Sequence, residues 1–446
     1  MINNDTFGTR RVMFRTFGCK LNFAESSSVG RQLAERGFVR AADGEEPDLV
    51  VVNTCSVTEL ADKKCRQAIR GIVRRHPHAT VLVTGCYAQL KPKEVSGIEG
   101  VDIVIGTNAK SRIAEYLDRW EAEHAPVTEV PPSRELREFV PACSADDRTR
   151  HFLKVQDGCD YYCSYCTIPM ARGRSRSGTI DKLLAQAQQV AADGGREIVL
   201  TGVNIGDFGK GRSDTLLDLI RELDKVEGID RYRISSIEPD LLSDDIISFV
   251  AGSRSFMPHF HTPLQSGSDT VLRLMRRHYD TALFVAKVAA IRSAMPDAFI
   301  GVDLITGARG ETEEEYQLSR RLVESLDISR LHVFPYSERP GTRALTLDGV
   351  VNTADRQRRT AEMLRLSESK VRSFAARFIG TTRPVLLEHR KEGDTDTPLL
   401  GFTDNYLRVA VEADDSLAGT IVPVRLTEIC GLDEGECLLR GEVAAL

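Results

Sequence analysis

The chain has 446 residues, of which 41% are hydrophobic and 28% charged, and this is the composition of an ordinary globular protein with about three domains. A net charge of −6 excludes a strongly basic nucleic-acid-binding protein, so any polyanion would have to be bound by local patches. No apolar run reaches the length of a membrane span, and the first residues lack the apolar core of a signal peptide. We therefore expect a cytoplasmic protein without a membrane partner, in which ten cysteines indicate metal binding or catalysis rather than disulfides.

The first third of the chain alternates short β-branched runs with helical patterns. The runs are MFRTF, DLVVVNT, TVLVTG and VDIVIGT. Strands that alternate with helices predict a parallel sheet, and we expect an α/β domain over residues 1–122. The next stretch, residues 123–148, is rich in proline and charge and lacks periodicity, so we interpret it as a linker.

A second α/β series occupies residues 149–373. Its strand candidates are HFLKVQ, EIVLTG, RYRISSI, PHFHTPL, AFIGVDLI and LHVFPY. Six strand–helix repeats fit either a barrel or an open sheet, and both place function at the carboxyl ends of the strands. After a long helix, the alternating runs of residues 374–446 predict a small all-β barrel.

The stretch GCDYYCSYC, which we call the cluster loop (residues 158–166), follows the first strand of the second series. It carries Cys159, Cys163 and Cys166. One interpretation is an incomplete zinc knuckle or three buried thiols, but a structural zinc site needs a fourth ligand and no second ligand pair lies nearby. An iron–sulfur cube held by three thiolates instead keeps one iron open.

The spacing CxxxC, one residue, an aromatic residue (here Tyr165) and a cysteine resembles the signature of the radical S-adenosylmethionine enzymes. The resemblance implies a partial (β/α)6 barrel and a [4Fe-4S] cluster on the three thiolates. It also implies S-adenosylmethionine, which the reduced cluster cleaves to a 5′-deoxyadenosyl radical. A low-potential electron donor such as flavodoxin or ferredoxin would supply the electron.

Other polar or glycine positions near strand ends are candidate contacts to this cofactor. The pair Gly194-Gly195 resembles the family's amino-group motif, although Arg196 interrupts it. Each position alone could equally be a turn or a helix cap. The candidate cofactor-binding residues are Tyr165, Gly195, Glu197, Asn204, Ser236 and Gln265.

Three further cysteines, Cys19, Cys55 and Cys86, each follow a predicted strand of the first domain. The carboxyl ends of parallel strands meet at one edge, so these thiols are expected to lie together and to hold a second cluster. Cys65 falls inside a helical pattern and is interpreted as a packed thiol. We interpret the remaining cysteines, Cys143, Cys430 and Cys437, in the same way.

The segments TFGCKLN, VVNTCSVTELADKKCRQAIR and TGCYAQL resemble the N-terminal domain of methylthiotransferases, and the C-terminal barrel resembles their RNA-binding TRAM-type, OB-like domain. The resemblance covers nearly the whole chain, with GARGET standing where relatives commonly have GFPGET. It implies two [4Fe-4S] clusters and the anticodon stem-loop of tRNA as partner. The implied product carries a methylthio group on C2 of N6-threonylcarbamoyladenosine 37.

Alternatives remain at the level of the substrate. GCKLN, with Lys20 and Leu21, differs from the GCQMN of relatives that act on isopentenyl-adenosine 37. It also differs from the GCPKN of relatives that modify an aspartate of a ribosomal protein. An alternative of another class is an iron–sulfur redox or binding protein without turnover.

Charge bears on this choice, because phosphate contacts dominate affinity for nucleic acids. Residues 374–446 contain seven Lys/Arg against thirteen Asp/Glu, so the barrel is not basic. Two basic segments could hold phosphates instead. One is the helix from Asp355 to Arg377, with seven Lys/Arg against three Asp/Glu. The other is the triplet that follows the cluster loop, Arg172, Arg174 and Arg176.

Overall fold

A computed structural model describes residues 10–144, 149–390, 397–433 and 435–444 of the protein. The start of the predicted first domain (1–9), the end of the predicted linker (145–148) and parts of the predicted C-terminal barrel lie outside these residues. No helix among them is long and apolar enough to span a bilayer.

The N-terminal part is a six-stranded parallel sheet with the strand order β2-β1-β3-β4-β5-β6. β3 and β4 are buried along their whole length, as their β-branched runs require when helices cover both faces. Its strands are β1 (Arg10–Thr16), β2 (Phe38–Arg40), β3 (Leu49–Thr54), β4 (Thr80–Gly85), β5 (Ile103–Ile105) and β6 (Val127–Glu129). Its helices are α1 (Lys20–Ala34), α2 (Glu59–Arg75), α3 (Cys86–Leu90), α4 (Pro92–Ser96) and α5 (Ile113–Glu123).

The predicted linker contains two short strands. β6 extends the N-terminal sheet, and β7 (Ala142–Cys143) pairs with the first strand of the second series. Both are too short to leave a periodic signal among the prolines and charges. The stretch interpreted as a linker therefore carries regular structure over residues 127–129 and 142–143, where Val127 and Ala142 are buried.

The second series forms six parallel strands in chain order. They fall into two groups of three, which are joined by the isolated bridges Tyr232–Phe256 and Ser236–His261. This confirms the partial (β/α)6 barrel. The strands are β8 (Arg150–Lys154), β11 (Glu197–Thr201), β12 (Arg231–Ile234), β13 (His259–His261), β14 (Phe299–Thr306) and β15 (Arg330–Pro335), with a small pair β9 (Gln156–Asp157) and β10 (Arg176–Ser177). The helices are α6 (Ile168–Arg172), α7 (Ile180–Ala192), α8 (Leu216–Leu223), α9 (Asp244–Gly252), α10 (Asp269–Leu274), α11 (Thr281–Ala294), α12 (Glu313–Ser325) and α13 (Thr353–Ala376).

The C-terminal part is a closed five-stranded barrel, as predicted for a TRAM-like domain. Its strand order is β16-β17-β18-β20-β19, and Val385, Val409 and Leu439 are among its buried residues. The strands are β16 (Thr382–Leu387), β17 (Leu399–Thr403), β18 (Arg408–Val411), β19 (Ile421–Asp433) and β20 (Glu436–Val443).

Helix α1 packs against the inner face of the partial barrel. Its Phe23 and Ala24 form an apolar cluster with Phe152 of β8 and Val199 of β11. The alternate residues of these strands, such as Leu153 and Leu200, belong to the main core beneath the outer helices. The N-terminal sheet thus contributes a helix to the interior of the second domain.

Candidate iron–sulfur and cofactor site

The cluster loop leaves the barrel between β9 and α6, and a tight backbone turn shapes it. Gly158 has a φ of +70°, and a Cβ at this position would lie 2.0 Å from the carbonyl oxygen of Arg174. Only glycine fits such a left-handed, crowded position. The amides of Tyr161 and Ile168 donate to the Sγ atoms of Cys159 and Cys166, each at 3.4 Å. Amide donors of this kind suit a thiolate.

The three thiols of the cluster loop influence one another. Burial, together with the neighbouring Cys163, raises the pKa of both Cys159 and Cys166 to about 12. Thiols crowded in this way would ionise together only with a cationic group between them, because a metal deprotonates its thiol ligands. This donor set, with three soft sulfur ligands on one loop, fits an iron–sulfur cluster.

The second set of cysteines lies at the carboxyl edge of the N-terminal sheet, around the point where the strand order reverses between β1 and β3. Cys19 precedes α1, Cys55 follows β3 and Cys86 begins α3. Burial first, and then the Cys86 thiol, raises the pKa of Cys55 to about 12. Gly18, with a φ of +96°, lets the chain pass close to Cys55, since a Cβ there would lie 2.8 Å from the Cys55 Sγ.

Three of the other four thiols are packed side chains, as predicted, and Cys430 is not. Cys65 is fully buried in α2, and its Sγ donates to the Cys55 carbonyl oxygen at 3.5 Å. Cys143 and Cys437 are buried, and Cys430 is exposed. Across the described ranges, no three Cys, His, Asp or Glu side chains converge closely enough to bind a single metal ion. The thiols of a cubane cluster are spread over separate iron atoms and need no such convergence.

A buried ionic network joins the two sets of cysteines. Arg172, at the end of α6, lies 2.9 Å from Glu25 of α1 and 3.1 Å from Asp157 of β9. Lys154 contacts the same two carboxylates, and Lys110 donates to Glu25. All five side chains are at least 96% buried. The segment after the cluster loop is therefore fixed to the helix that follows Cys19.

Two hydroxyl contacts complete this connection. Thr167 donates to the carbonyl oxygen of Ser56 at 3.4 Å, and Thr107 donates to that of Ala171 at 3.2 Å. The cluster loop is thus held directly beside the strand end that carries Cys55.

Four of the predicted cofactor contacts lie on the same side as the cluster loop. Tyr165 packs with Met275 and Tyr336, Ser236 follows β12, and Gln265 adopts a φ of +62° beside the end of β14. Asn204 is 3% exposed, and neither its side-chain nitrogen nor its oxygen has a partner among the described residues. An unpaired buried amide is costly unless a ligand satisfies it, which suits a cofactor contact.

The structure does not bring Gly195 and Glu197 to this site. Both lie at the amino end of β11, opposite to the cluster loop. Glu197 is fully buried and accepts from Arg233 at 2.8 Å, with Arg231 at 3.7 Å. The same arginines donate to the carbonyl oxygens of Phe402 and Thr403 in the C-terminal barrel. The carboxylate of Glu197 is thus engaged in domain docking, and its placement argues against the predicted cofactor role.

Arg277 is a site residue that the sequence did not reveal. Its Nη1 donates to the Cys163 Sγ at 3.1 Å, and its guanidinium pairs with Glu238. Burial, which outweighs the attraction of Arg277, raises the pKa of Glu238 to about 7. Glu238 lies two residues after the predicted contact Ser236, just beyond β12, whereas Arg277 follows a short helix with no motif around it.

The structure changes the interpretation of both basic segments. Arg172 and Arg176 are buried in the ionic network, and only Arg174 of the triplet is exposed, with 65% of its side chain accessible. On α13, Arg359 pairs with Glu311 and Glu313, and Arg358 also pairs with Glu313. These four arginines are engaged with carboxylates, whereas Arg174 and exposed cations of α13 such as Arg365 stay predicted phosphate ligands.

The barrel and the thiol loop define a radical S-adenosylmethionine enzyme, and comparison with known proteins agrees. The model of the Radical SAM superfamily matches residues 153–323, and that of Uncharacterized protein family UPF0004 matches residues 11–106. Among solved structures, the radical S-adenosylmethionine methyltransferase TsrM from Kitasatospora setae superposes with a TM-score of 0.57 at 15% identity, covering 75% of this chain and 74% of TsrM. This likeness concerns the fold.

Curated relatives are similar along nearly the whole chain. A protein of Bacillus subtilis named threonylcarbamoyladenosine tRNA methylthiotransferase MtaB is 37% identical over 93% of both chains. The MtaB of Thermotoga maritima is 37% identical over 85% of this chain and 87% of its own. A tRNA-2-methylthio-N(6)-dimethylallyladenosine synthase of Sphingopyxis alaskensis is 33% identical over 93% and 94%. The chain therefore belongs to the radical S-adenosylmethionine methylthiotransferase family, whose enzymes use a [4Fe-4S] cluster and S-adenosylmethionine.

Proposed function

We propose that this enzyme modifies tRNA by replacing the hydrogen on C2 of N6-threonylcarbamoyladenosine 37 with a methylthio group, giving 2-methylthio-N6-threonylcarbamoyladenosine. The observation that carries the proposal is the pair of three-thiol sets, which lie at the carboxyl edges of two neighbouring sheets and are joined through α6 and α1. The names of the relatives at 37% identity support the choice of substrate.

The two thiol sets have separate roles in this proposal. Cys159, Cys163 and Cys166 hold the cluster that S-adenosylmethionine joins, and Cys19, Cys55 and Cys86 hold a second [4Fe-4S] cluster. When bound, these groups supply a 5′-deoxyadenosyl radical that removes the C2 hydrogen and the methylthio group that replaces it. Acid–base catalysis would not suffice, because this aromatic hydrogen is not acidic and no leaving group exists.

The protein orients and shields these groups. Phe23 and Ala24 cover the inner face of the barrel beside the site, which keeps water away from the reacting atoms. The ionic network around Arg172 fixes the relative position of the two thiol sets. Tyr165, Asn204, Ser236 and Gln265 are the side chains we assign to S-adenosylmethionine, with Asn204 the most specific of them.

The partners follow from the chemistry. The anticodon stem-loop presents the adenine in a loop, so exposing it costs only a few kcal/mol. The C-terminal barrel would bind RNA by shape and stacking more than by charge. A low-potential protein such as flavodoxin or ferredoxin would supply electrons. We also propose the domain division 1–122, 123–148, 149–373 and 374–446, and a cytoplasmic location.

Mass spectrometry of tRNA nucleosides tests the function. Cells that carry the gene should contain the methylthio product, and cells without it should contain the unmodified threonylcarbamoyl nucleoside. A copy with Cys159→Ala serves as the matched control and should fail to restore the product. Appearance of the methylthio group only on isopentenyl-adenosine, or on a ribosomal protein, would contradict the assigned substrate.

A further inference from the structure

Lys20, the residue after Cys19, is a cation without a partner at the junction of the two thiol sets. Its side chain makes no hydrogen bond or ion pair with any residue in the described parts of the chain, although neighbouring cations such as Lys110 and Arg172 are fully paired. Lys20 takes no part in holding the N-terminal sheet to the barrel. The mechanism outlined above gives it no role either.

The helical spacing directs Lys20 toward the interior of the barrel. Lys20, Phe23 and Ala24 stand at positions i, i+3 and i+4 of α1 and therefore share one face of the helix. Phe23 and Ala24 pack onto the inner face of the barrel at Phe152 and Val199. Lys20 lies one turn closer to Cys19 on the same face, so its side chain projects into the barrel interior from the edge that carries this thiol.

The opposite wall of this space is polar. His261 of β13 lies 2.8 Å from the Asp303 carboxylate of β14, and its ring stacks on His332 of β15 with centroids 5.0 Å apart. Burial first, then the positive charges of His261 and Arg330 and, to a smaller extent, Lys20, lower the pKa of His332 to about 3. Because α1 turns this face into the barrel, Lys20 lies across from this wall, and His261 rather than Lys20 pairs with Asp303.

We infer that Lys20 binds the carboxylate of the threonylcarbamoyl substituent and so determines which modified adenosine the enzyme accepts. This inference rests on the proposed function. The substituent ends in an α-carboxylate and a hydroxyl group, which match an unpaired ammonium facing a wall of imidazoles and a carboxylate. An isopentenyl substituent is a hydrocarbon and would leave Lys20 without a partner. Leaving the ammonium group without a partner is how such a site rejects an analogue.

The test uses the anaerobically reconstituted holoenzyme and two anticodon stem-loop RNAs. One carries N6-threonylcarbamoyladenosine, and the other carries its carboxamide, which has the same shape without the charge. Fluorescence anisotropy gives the Kd of each RNA, and nucleoside mass spectrometry gives the product. The wild-type enzyme should bind the carboxylate RNA about 10-fold or more tighter than the carboxamide, as expected for a charge-assisted hydrogen bond.

Substitutions of Lys20 should act on this ratio. Lys20→Met should reduce the preference for the carboxylate to about 1, whereas Lys20→Arg, which keeps the charge, should retain part of it. Lys182→Met on the exposed face of α7 is the matched control and should keep the wild-type ratio. Iron and sulfide content of each preparation shows whether the clusters remain, because Lys20 adjoins Cys19.

Each outcome bears on a separate claim. If Lys20→Met keeps the full preference, or weakens both RNAs equally, the inference is overturned and the proposed function stands. If the wild-type enzyme binds both RNAs equally yet methylthiolates them, carboxylate recognition is wrong. If the wild-type enzyme methylthiolates neither RNA, the proposed substrate fails, and the inference about Lys20 fails with it.

Discussion

Arg172 and Glu25 form a buried ion pair of 2.9 Å between the segment that follows the cluster loop and the first helix of the N-terminal sheet. Glu25 also binds Lys110 and Lys154, so one carboxylate serves three cations. Burial raises the pKa of Glu25, but these cations outweigh burial and hold it well below its usual range. The pair is therefore charged at neutral pH and connects the two halves of the site.

Arg172→Met should destabilise the protein by about 3–5 kcal/mol, because it leaves the Glu25 and Asp157 carboxylates buried with less compensation. Urea unfolding followed by circular dichroism measures the change. Arg174→Met, on a side chain that is 65% exposed, is the matched control and should change the stability by less than about 0.5 kcal/mol. Equal effects of the two changes would show that the ionic network does not connect the domains.

The two thiol sets should separate in their chemistry. Any of Cys159→Ala, Cys163→Ala and Cys166→Ala should abolish cleavage of S-adenosylmethionine. Any of Cys19→Ala, Cys55→Ala and Cys86→Ala should stop methylthio transfer while some 5′-deoxyadenosine still forms without product. Chromatography of 5′-deoxyadenosine and mass spectrometry of the RNA give both quantities.

Iron analysis provides an independent measurement of the same assignment. Each triple replacement should lower the iron content by about half, as expected when one of two similar cubane sites is lost. Cys430→Ala, at an exposed cysteine of the C-terminal barrel, should leave the iron content unchanged. A folded Cys19/Cys55/Cys86 triple variant that still methylthiolates RNA would disprove the second cluster.

Asn204→Ala should weaken binding of S-adenosylmethionine about 10-fold, because a buried amide without a protein partner is available to the cofactor. Isothermal titration of the reconstituted enzyme gives the Kd. Gln189→Ala on α7, where the exposed amide donates to Asp193, should leave the Kd unchanged. An unaltered Kd in Asn204→Ala would remove this residue from the cofactor site.

Glu197→Gln should loosen the C-terminal barrel without a direct effect on S-adenosylmethionine. The change removes the carboxylate that compensates Arg231 and Arg233, whose guanidinium groups hold carbonyl oxygens of the barrel. Hydrogen exchange should increase in β16 and β17, with a loss of about 3 kcal/mol or more in stability. Glu222→Gln, in an exposed pair with Lys225, is the control. If Glu197→Gln instead raised the Kd for S-adenosylmethionine and left hydrogen exchange unchanged, Glu197 would be a cofactor contact, as the sequence predicted.

The architecture was predictable because its signals are local. The β-branched runs of β3 and β4, the six strand–helix repeats and the alternating runs of residues 374–446 predicted the architecture that forms there. The positions of Cys19, Cys55 and Cys86 at strand ends were predictable for the same reason, since a parallel sheet gathers such positions at one edge. Glu197 could also have been judged from the sequence, because a residue that begins a strand lies at its amino end.

Contacts between distant segments were not predictable. Arg172 pairs with Glu25, which lies 147 residues earlier in the chain. Arg233 donates to the carbonyl oxygen of Thr403, which lies 170 residues later. Composition identified basic segments but gave no information on their acidic partners. Composition therefore predicted Arg358 and Arg359 as phosphate ligands, whereas in the structure both pair with Glu313 of α12.

The packing of α1 inside the barrel has a consequence for synthesis on the ribosome. The N-terminal sheet emerges first, and its helix then exposes Phe23 and Ala24 until β8 and β11 have been made. The barrel thus closes against a helix that has already been synthesised. Each part expressed alone would expose an apolar face and would be prone to aggregation. Co-expression of the two parts as separate chains should accordingly yield more soluble material than expression of either one.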